Sequence, residues 1–236
     1  MGTPEGTGFP QGMLQQPPQE RLAYFKGYTV AHTRMEEACA TVMQAIREPA
    51  NAAYILLVGP TGVGKTTLRW GVERQLIASV GADLAQDPGR LPVCSTTAVS
   101  PDSGSFNWKD YYRRALQALH EPFIEDKMAT CGAGTPRDHS LRVLPPAAAA
   151  PALRRALEHA LTYRRPQAFF VDEAQHLLKM ASGRRLQDQM DAIKSLADHG
   201  RTIHVLLGTY DLLALRTLSG QVIRRGILCH FPRCRT

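Results

Sequence analysis

No stretch of this sequence is long and apolar enough to cross a bilayer as a helix. Its longest strongly apolar run is Ala52 to Val58, whereas a spanning helix needs about 20 such residues. The first residues also lack the cationic stretch followed by an apolar one that directs secretion, carrying Pro4, Glu5, Gly8, Pro10, Pro17 and Pro18 instead. A cytoplasmic protein with no membrane partner is expected. The five cysteines (Cys39, Cys94, Cys131, Cys229 and Cys234) are odd in number and never spaced C-x-x-C, which argues against a disulfide framework and a structural zinc site. They read as free thiols. Internal repeats and coiled-coil heptads are absent too. Acidic residues are missing from Leu212 to the terminus, where Arg216, Arg224, Arg225, Arg233 and Arg235 all fall. Such a local positive field suits nucleic acid, the phosphates of a nucleotide on a neighbouring subunit, or solvent.

The 236 residues, with 44% apolar and 21% charged side chains and a formal net charge of +7, are enough for one globular α/β domain with a sizeable core. Residues 1–20, rich in Pro, Gly and Gln, read as a flexible leader, and 21–236 as the domain. Thr33 with Glu36 fits a capping box, and Met35, Ala38, Cys39, Val42 and Ile46 continue at helical spacing to a stop at Pro49. Five short apolar runs then have the size of buried strands: Ala53 to Val58, Leu91 to Ser95, Ala168 to Val171, Ile203 to Leu207 and Ile227 to Phe231. Helical patterns separate them, over Thr67 to Val80, Trp108 to Leu119, Ala152 to Tyr163, Leu186 to His199 and Asp211 to Leu218. Apolar strands alternating with helices imply a parallel sheet covered on both faces, a three-layer α/β architecture. Pro122 to Pro151, with its Gly, Pro and four-alanine run, reads as an irregular insertion.

Gly59-Pro60-Thr61-Gly62-Val63-Gly64-Lys65-Thr66 matches G-x-x-x-x-G-K-[ST], directly after a strand and directly before a helix. Glycines let the backbone N–H groups curl around phosphates, and the helix N-terminus adds its positive end. Lys65 reaches the β- and γ-phosphates, the Thr66 hydroxyl ligates Mg²⁺, and Thr67 extends the nucleotide-contacting run. The strand Ala168 to Val171 ends in Asp172-Glu173. Asp172 is placed to hold Mg²⁺, and Glu173 either to orient or deprotonate the attacking water or to start a helix. Thr209, just past the fourth strand, is a candidate γ-phosphate sensor or an N-cap. Arg224 and Arg225, just before the fifth strand, are a finger reaching a neighbour's γ-phosphate or a solvated basic pair. His176 follows the acidic pair without partners at ligand spacing and is left out of the chemistry.

With these motifs in this order the chain looks like an AAA+ ATPase. More narrowly, Val171-Asp172-Glu173-Ala174-Gln175-His176, Leu207-Gly208-Thr209-Tyr210-Asp211-Leu212, Ser219-Gly220-Gln221-Val222-Ile223-Arg224-Arg225 and Phe231-Pro232-Arg233 resemble the TniB and TnsC family of transposition regulators. The resemblance implies sheet order 5-1-4-3-2, ATP and Mg²⁺ as cofactors, and rings or helical filaments of identical subunits around duplex DNA. It also implies a transposase and a TniQ-type target selector as partners. Lys65, Thr66, Asp172, Glu173 and Thr209 would serve the nucleotide, Arg224 or Arg225 would act in trans, and Tyr24 to His32 would flank the adenine. AAA+ proteins carry a helical lid after the fifth strand; with the sequence read to Thr236, a core lacking that lid and an ATPase activity weakened by its absence are the expectation. Lys109, Arg113 and Arg114 are the candidate DNA-backbone contacts, with a solvated helix face as the alternative; such contacts would be sequence-tolerant and salt-sensitive. Two other functions fit the same P-loop. A kinase for a small acceptor is disfavoured by Asp172-Glu173, since a base for water is unwanted where water must be excluded. A non-hydrolysing module using ATP as a structural ligand is the second, and another initiator- or loader-type ATPase shares most of the same residues.

Overall fold

A computed structural model describes residues 11–27, 33–101, 104, 106–131, 141–143, 146–179, 184–217 and 224–233. The chain divides into two compact units, Met1–Thr33 and Arg34–Thr236. In the first, a 3₁₀ helix at Gln11–Gln15 precedes helix α1 (Pro18–Gly27). The sequence carries no periodicity here, and Pro18 at the first helical position is where proline's fixed φ helps rather than hinders.

The second unit is built on a parallel sheet. Its strands are β1 (Tyr54–Val58), β2 (Val93–Thr97), β5 (Ala168–Asp172), β6 (Ile203–Gly208) and β7 (Gly226–His230). They lie in the order β2-β5-β6-β1-β7, which, counting these five in sequence, is the expected 5-1-4-3-2. All four neighbour pairings are parallel. Residues of β1, β5 and β6 are buried throughout, as strands covered on both faces must be.

Alternate side chains of each strand enter separate cores. On one face Ile55, Leu57, Phe170, Val205 and Leu207 meet Val42 and Ile46 of α2 (Thr33–Arg47) and Leu68, Val72 and Leu76 of α3 (Lys65–Ser79). On the other face Leu56, Val58, Phe169, Val171 and Leu206 meet Tyr111 and Leu116 of α5 (Trp108–Ala118), Leu153 and Leu157 of α6 (Pro146–Arg164), and Ile193 and Leu196 of α7 (Arg184–Gly200). A short helix α4 (Gly81–Leu84) follows α3. His204 is the polar residue within the second face, fully buried against the Phe169 ring at 5.3 Å, with Nδ1 3.2 Å from the Thr202 carbonyl.

The described part of the insertion holds more regular structure than its composition implies. A 3₁₀ turn at Asp126–Met128 leads into an antiparallel pair, β3 (Ala129–Cys131) with β4 (Leu141–Val143). Moreover α6 begins at Pro146, not at Ala152, and runs straight through Pro151. The four alanines are thus its opening turns, their high helix propensity outweighing one proline. Cys39, Cys94 and Cys229 are free thiols among the described residues. No helix among the described residues is long and apolar enough to cross a membrane.

Candidate functional site

The C-terminal edge of the sheet collects the polar residues that the strands deliver. Between β1 and α3 the backbone turns through Gly62 and Gly64, at φ 78° and 98°. A side chain other than glycine rarely adopts that left-handed conformation, so the turn requires glycine at both positions. Gly64 supplies no side-chain cap to α3, leaving the first N–H groups of that helix pointing into the loop, where an anion is their natural acceptor.

Lys65 opens α3 and is only 8% exposed. Its Nζ donates to the carbonyls of Gly59 at 3.0 Å and Pro60 at 2.9 Å. Burial lowers its pKa below the ordinary lysine value, while first Glu173 and then Asp172 pull it back up. The ammonium is therefore held inside the loop by the loop's own oxygens, and a phosphate arriving there would exchange neutral acceptors for charged ones.

Asp172, the last residue of β5, is also buried. Its Oδ2 accepts from the Thr66 hydroxyl at 2.9 Å, and its Oδ1 from the Glu173 N–H at 2.9 Å. A hydroxyl and a carboxylate converging in this way on one small volume form a hard oxygen donor set of the kind that suits Mg²⁺. Thr66 and Asp172 would hold the ion, which when bound would neutralise charge on the β- and γ-phosphates.

A fourth side chain closes that corner. Arg69, one turn along α3, places Nε 3.8 Å from Asp172 Oδ2 while its Nη1 donates to Glu73 at 2.8 Å and Ser95 at 2.5 Å. The i,i+4 spacing of Arg69 and Glu73 is legible in sequence. Ser95 and Asp172 are not, because they meet Arg69 only through the adjacency of β2 and β5.

Glu173 is exposed and sits in the left-handed region at φ 53°, ψ 33°, ahead of a 3₁₀ helix at Ala174–Leu178. Its side chain makes no capping bond. Instead the carboxylate accepts from Gln175 Nε2 at 2.5 Å. Burial and Lys179 lower the pKa of His176, which lies on the same 3₁₀ helix.

Thr209 follows β6 on the same edge. Its hydroxyl donates to Asp211 at 2.8 Å, and its backbone N–H donates to Gln175 Oε1 at 3.2 Å. The N-cap alternative would have that hydroxyl accept a backbone N–H, whereas here it donates to a carboxylate. The fold therefore brings Gly59 to Thr67, Asp172, Glu173 and Thr209 to one edge.

Arg224 and Arg225 stand at the opposite edge, just before β7. Arg225 is ion-paired with Asp198, and its carbonyl accepts from the Ala53 N–H at 2.8 Å. Arg224 is exposed. Lys109, Arg113 and Arg114 line a separate cleft of about 720 Å³ together with Thr97, Ser100 and Trp108. Arg113 pairs there with Glu125, and Arg114 with Asp110 at 2.6 Å. Of the segment expected to flank adenine, Tyr24 lies on α1 in the first unit, and residues 28–32 fall outside the described residues.

The family described as an AAA domain matches residues 47–215. Among solved structures, the Aeropyrum pernix ORC2 protein in ADPNP and ADP complexes is similar at 19% identity and TM-score 0.53, over 88% of this chain and 50% of that one. Caenorhabditis elegans PCH-2 is 14% identical with TM-score 0.45, over 90% of this chain and 46% of its own. The Walker-type ATPase of Pyrococcus abyssi is 16% identical with TM-score 0.42, over 83% and 53%. The chain thus spans about half the length of these structures. A search of curated proteins gives no match. At these identities only the first likeness bears on the argument, and what it supports is the fold.

Proposed function

The chain belongs to the AAA domain family, and on that footing we propose that it hydrolyses ATP with Mg²⁺ as the timer of an assembly on duplex DNA, as a regulator of transposition. The observation that carries the hydrolytic part is the Thr66 hydroxyl 2.9 Å from Asp172, with Lys65 and Glu173 on either side of it. Lys65 leaves the carbonyls of Gly59 and Pro60 to bind the β- and γ-phosphate oxygens. Glu173 orients the attacking water and takes its proton. Thr209 contacts the γ-phosphate from the end of β6. An arginine from a neighbouring copy stabilises the charge that develops there. Arg225 is already engaged by Asp198 of its own chain, which favours the exposed Arg224 as that group.

Transposition and DNA rest on the sequence resemblance to TniB and TnsC proteins and on the cleft that gathers Lys109, Arg113 and Arg114. A transposase and a TniQ-type selector are the partners this reading names, and a ring or filament of identical subunits its working form. Sharing one γ-phosphate between Lys65 of one copy and Arg224 of the next makes assembly depend on ATP and makes hydrolysis end it.

Electron microscopy of the protein on duplex DNA with a slowly hydrolysed ATP analogue tests this. Ordered rings or filaments are expected from the wild type. With Lys65→Ala, ATP binding should weaken at least about 100-fold, the worth of two charge-assisted contacts, and the assemblies should vanish. Wild-type-like assembly by that variant would remove the mechanism.

A further inference from the structure

Gln175 is not part of the phosphate-binding turn, the metal corner or the trans pair, yet it touches two of the residues that serve the nucleotide. Its Nε2 donates to Glu173 Oε2 at 2.5 Å, and its Oε1 accepts from the Thr209 N–H at 3.2 Å. The partners fix which way the amide faces. A backbone N–H can only donate and a carboxylate only accept, so the oxygen must lie toward Thr209 and the NH₂ toward Glu173.

The seat of this amide is built by its neighbours. A Cβ on Gly208 would lie 2.5 Å from Gln175 Oε1, closer than real side chains come, so glycine at the end of β6 is what admits it. Gly208 in turn accepts through its carbonyl from the Gly59 N–H at 3.2 Å, and it pairs in register with Val58. The carboxylate of Glu173, the end of β6 and the first residue of the phosphate-binding turn are thus joined by successive hydrogen bonds, with the Gln175 side chain as the link between the carboxylate and the backbone.

We propose that Gln175 is a positioning residue that anchors the Glu173 carboxylate to the end of β6, so that the base and the phosphate-binding turn hold one relative geometry. The inference rests on the hydrolytic reading above. Glu173 needs such an anchor because it is exposed and receives no capping contact, and a carboxylate free to sample several rotamers holds water in line only part of the time. A misplacement of about 1 Å is enough to slow an enzymatic step about 100-fold.

The test compares wild type, Gln175→Leu and Gln175→Asn, each alone and combined with Glu173→Gln. Asn keeps an amide but is one methylene too short to reach both partners, so it controls for loss of polarity or of fold. Both variants should lower kcat for phosphate release about 10- to 100-fold while KM for ATP moves less than about 3-fold, because the contact acts on the attacking water and not on nucleotide binding. In the Glu173→Gln background the same changes should add less than about 2-fold. Independent, additive losses, or equal effects on KM and kcat, would overturn the proposal. Amide hydrogen exchange at Thr209, followed without nucleotide, reads the bridge directly: Gln175→Leu should speed it about 10-fold or more, and unchanged exchange would overturn the proposal too. If the wild type itself releases no phosphate, the hydrolytic reading falls, and exchange at Thr209 still decides whether the bridge exists.

Discussion

Among single residues, Glu173 combines the features expected of a working group: exposure, a carboxylate that Gln175 holds from outside the helix cap, and a left-handed backbone at φ 53°. A residue with a β-carbon held there costs about 1–3 kcal/mol, whereas glycine does not, so Glu173→Gly removes that cost and offsets glycine's own entropic penalty of about 1 kcal/mol. The melting temperature of Glu173→Gly should equal or exceed that of the wild type while multiple-turnover phosphate release falls about 100-fold or more. A drop of several degrees would show that the backbone there is not strained. The sequence named this residue, together with Lys65, Thr66, Asp172 and Thr209, because each lies within or next to a motif whose spacing is local. It did not give Arg69 or Gln175 a role in the site. Their contacts with Asp172 and Thr209 depend on which strands lie side by side, and nothing within a few residues of either signals that.

Helices and strands obeyed the periodicity of their residues closely, and the departures have physical causes. Three of the five strands are buried throughout, so their apolar runs stand out without alternation. By contrast β2 and β7, at the sheet edges, are half-covered, and their ends were correspondingly less sharp in sequence. Proline misled at α6: Pro151 suggested a boundary, but alanines on its N-terminal side carry the helix across it. Proline in a helix interior forfeits one hydrogen bond and crowds the preceding turn. Pro151 is exposed, so Pro151→Ala should stabilise the protein by about 1–3 kcal/mol, or roughly 2–12 °C in melting temperature for a chain of this size. An unchanged or lower value would mean that the helix is already kinked to suit the proline. The short β3–β4 pair was unreadable for a different reason, since strands of three residues carry too few side chains to show a period.

At the scale of the whole molecule, stability is tied to pH through the buried imidazole of His204. Burial lowers its pKa to about 4, partly offset by the Thr202 carbonyl. Between that value and the ordinary 6.5, the unfolded chain binds a proton that the folded one refuses. The contribution is therefore intact above pH 6.5 and is lost as the pH falls toward 4, amounting to about 3 kcal/mol. Urea unfolding at pH 7 and pH 4.5 should show His204→Gln losing about 2 kcal/mol less than wild type over that interval; equal losses would mean that His204 is protonated in place. The sheet's connectivity has a consequence during synthesis. β1 lies between β6 and β7, Tyr54 pairing with His204 and Gly226, so roughly 150 residues must follow it before either neighbour exists, about 10–30 s at ribosomal speed. The nucleotide turn is thus translated early and assembled late. Meanwhile Tyr54–Val58 waits unpaired through more of translation than any other strand of the sheet, a bare apolar stretch of the kind that chaperones cover.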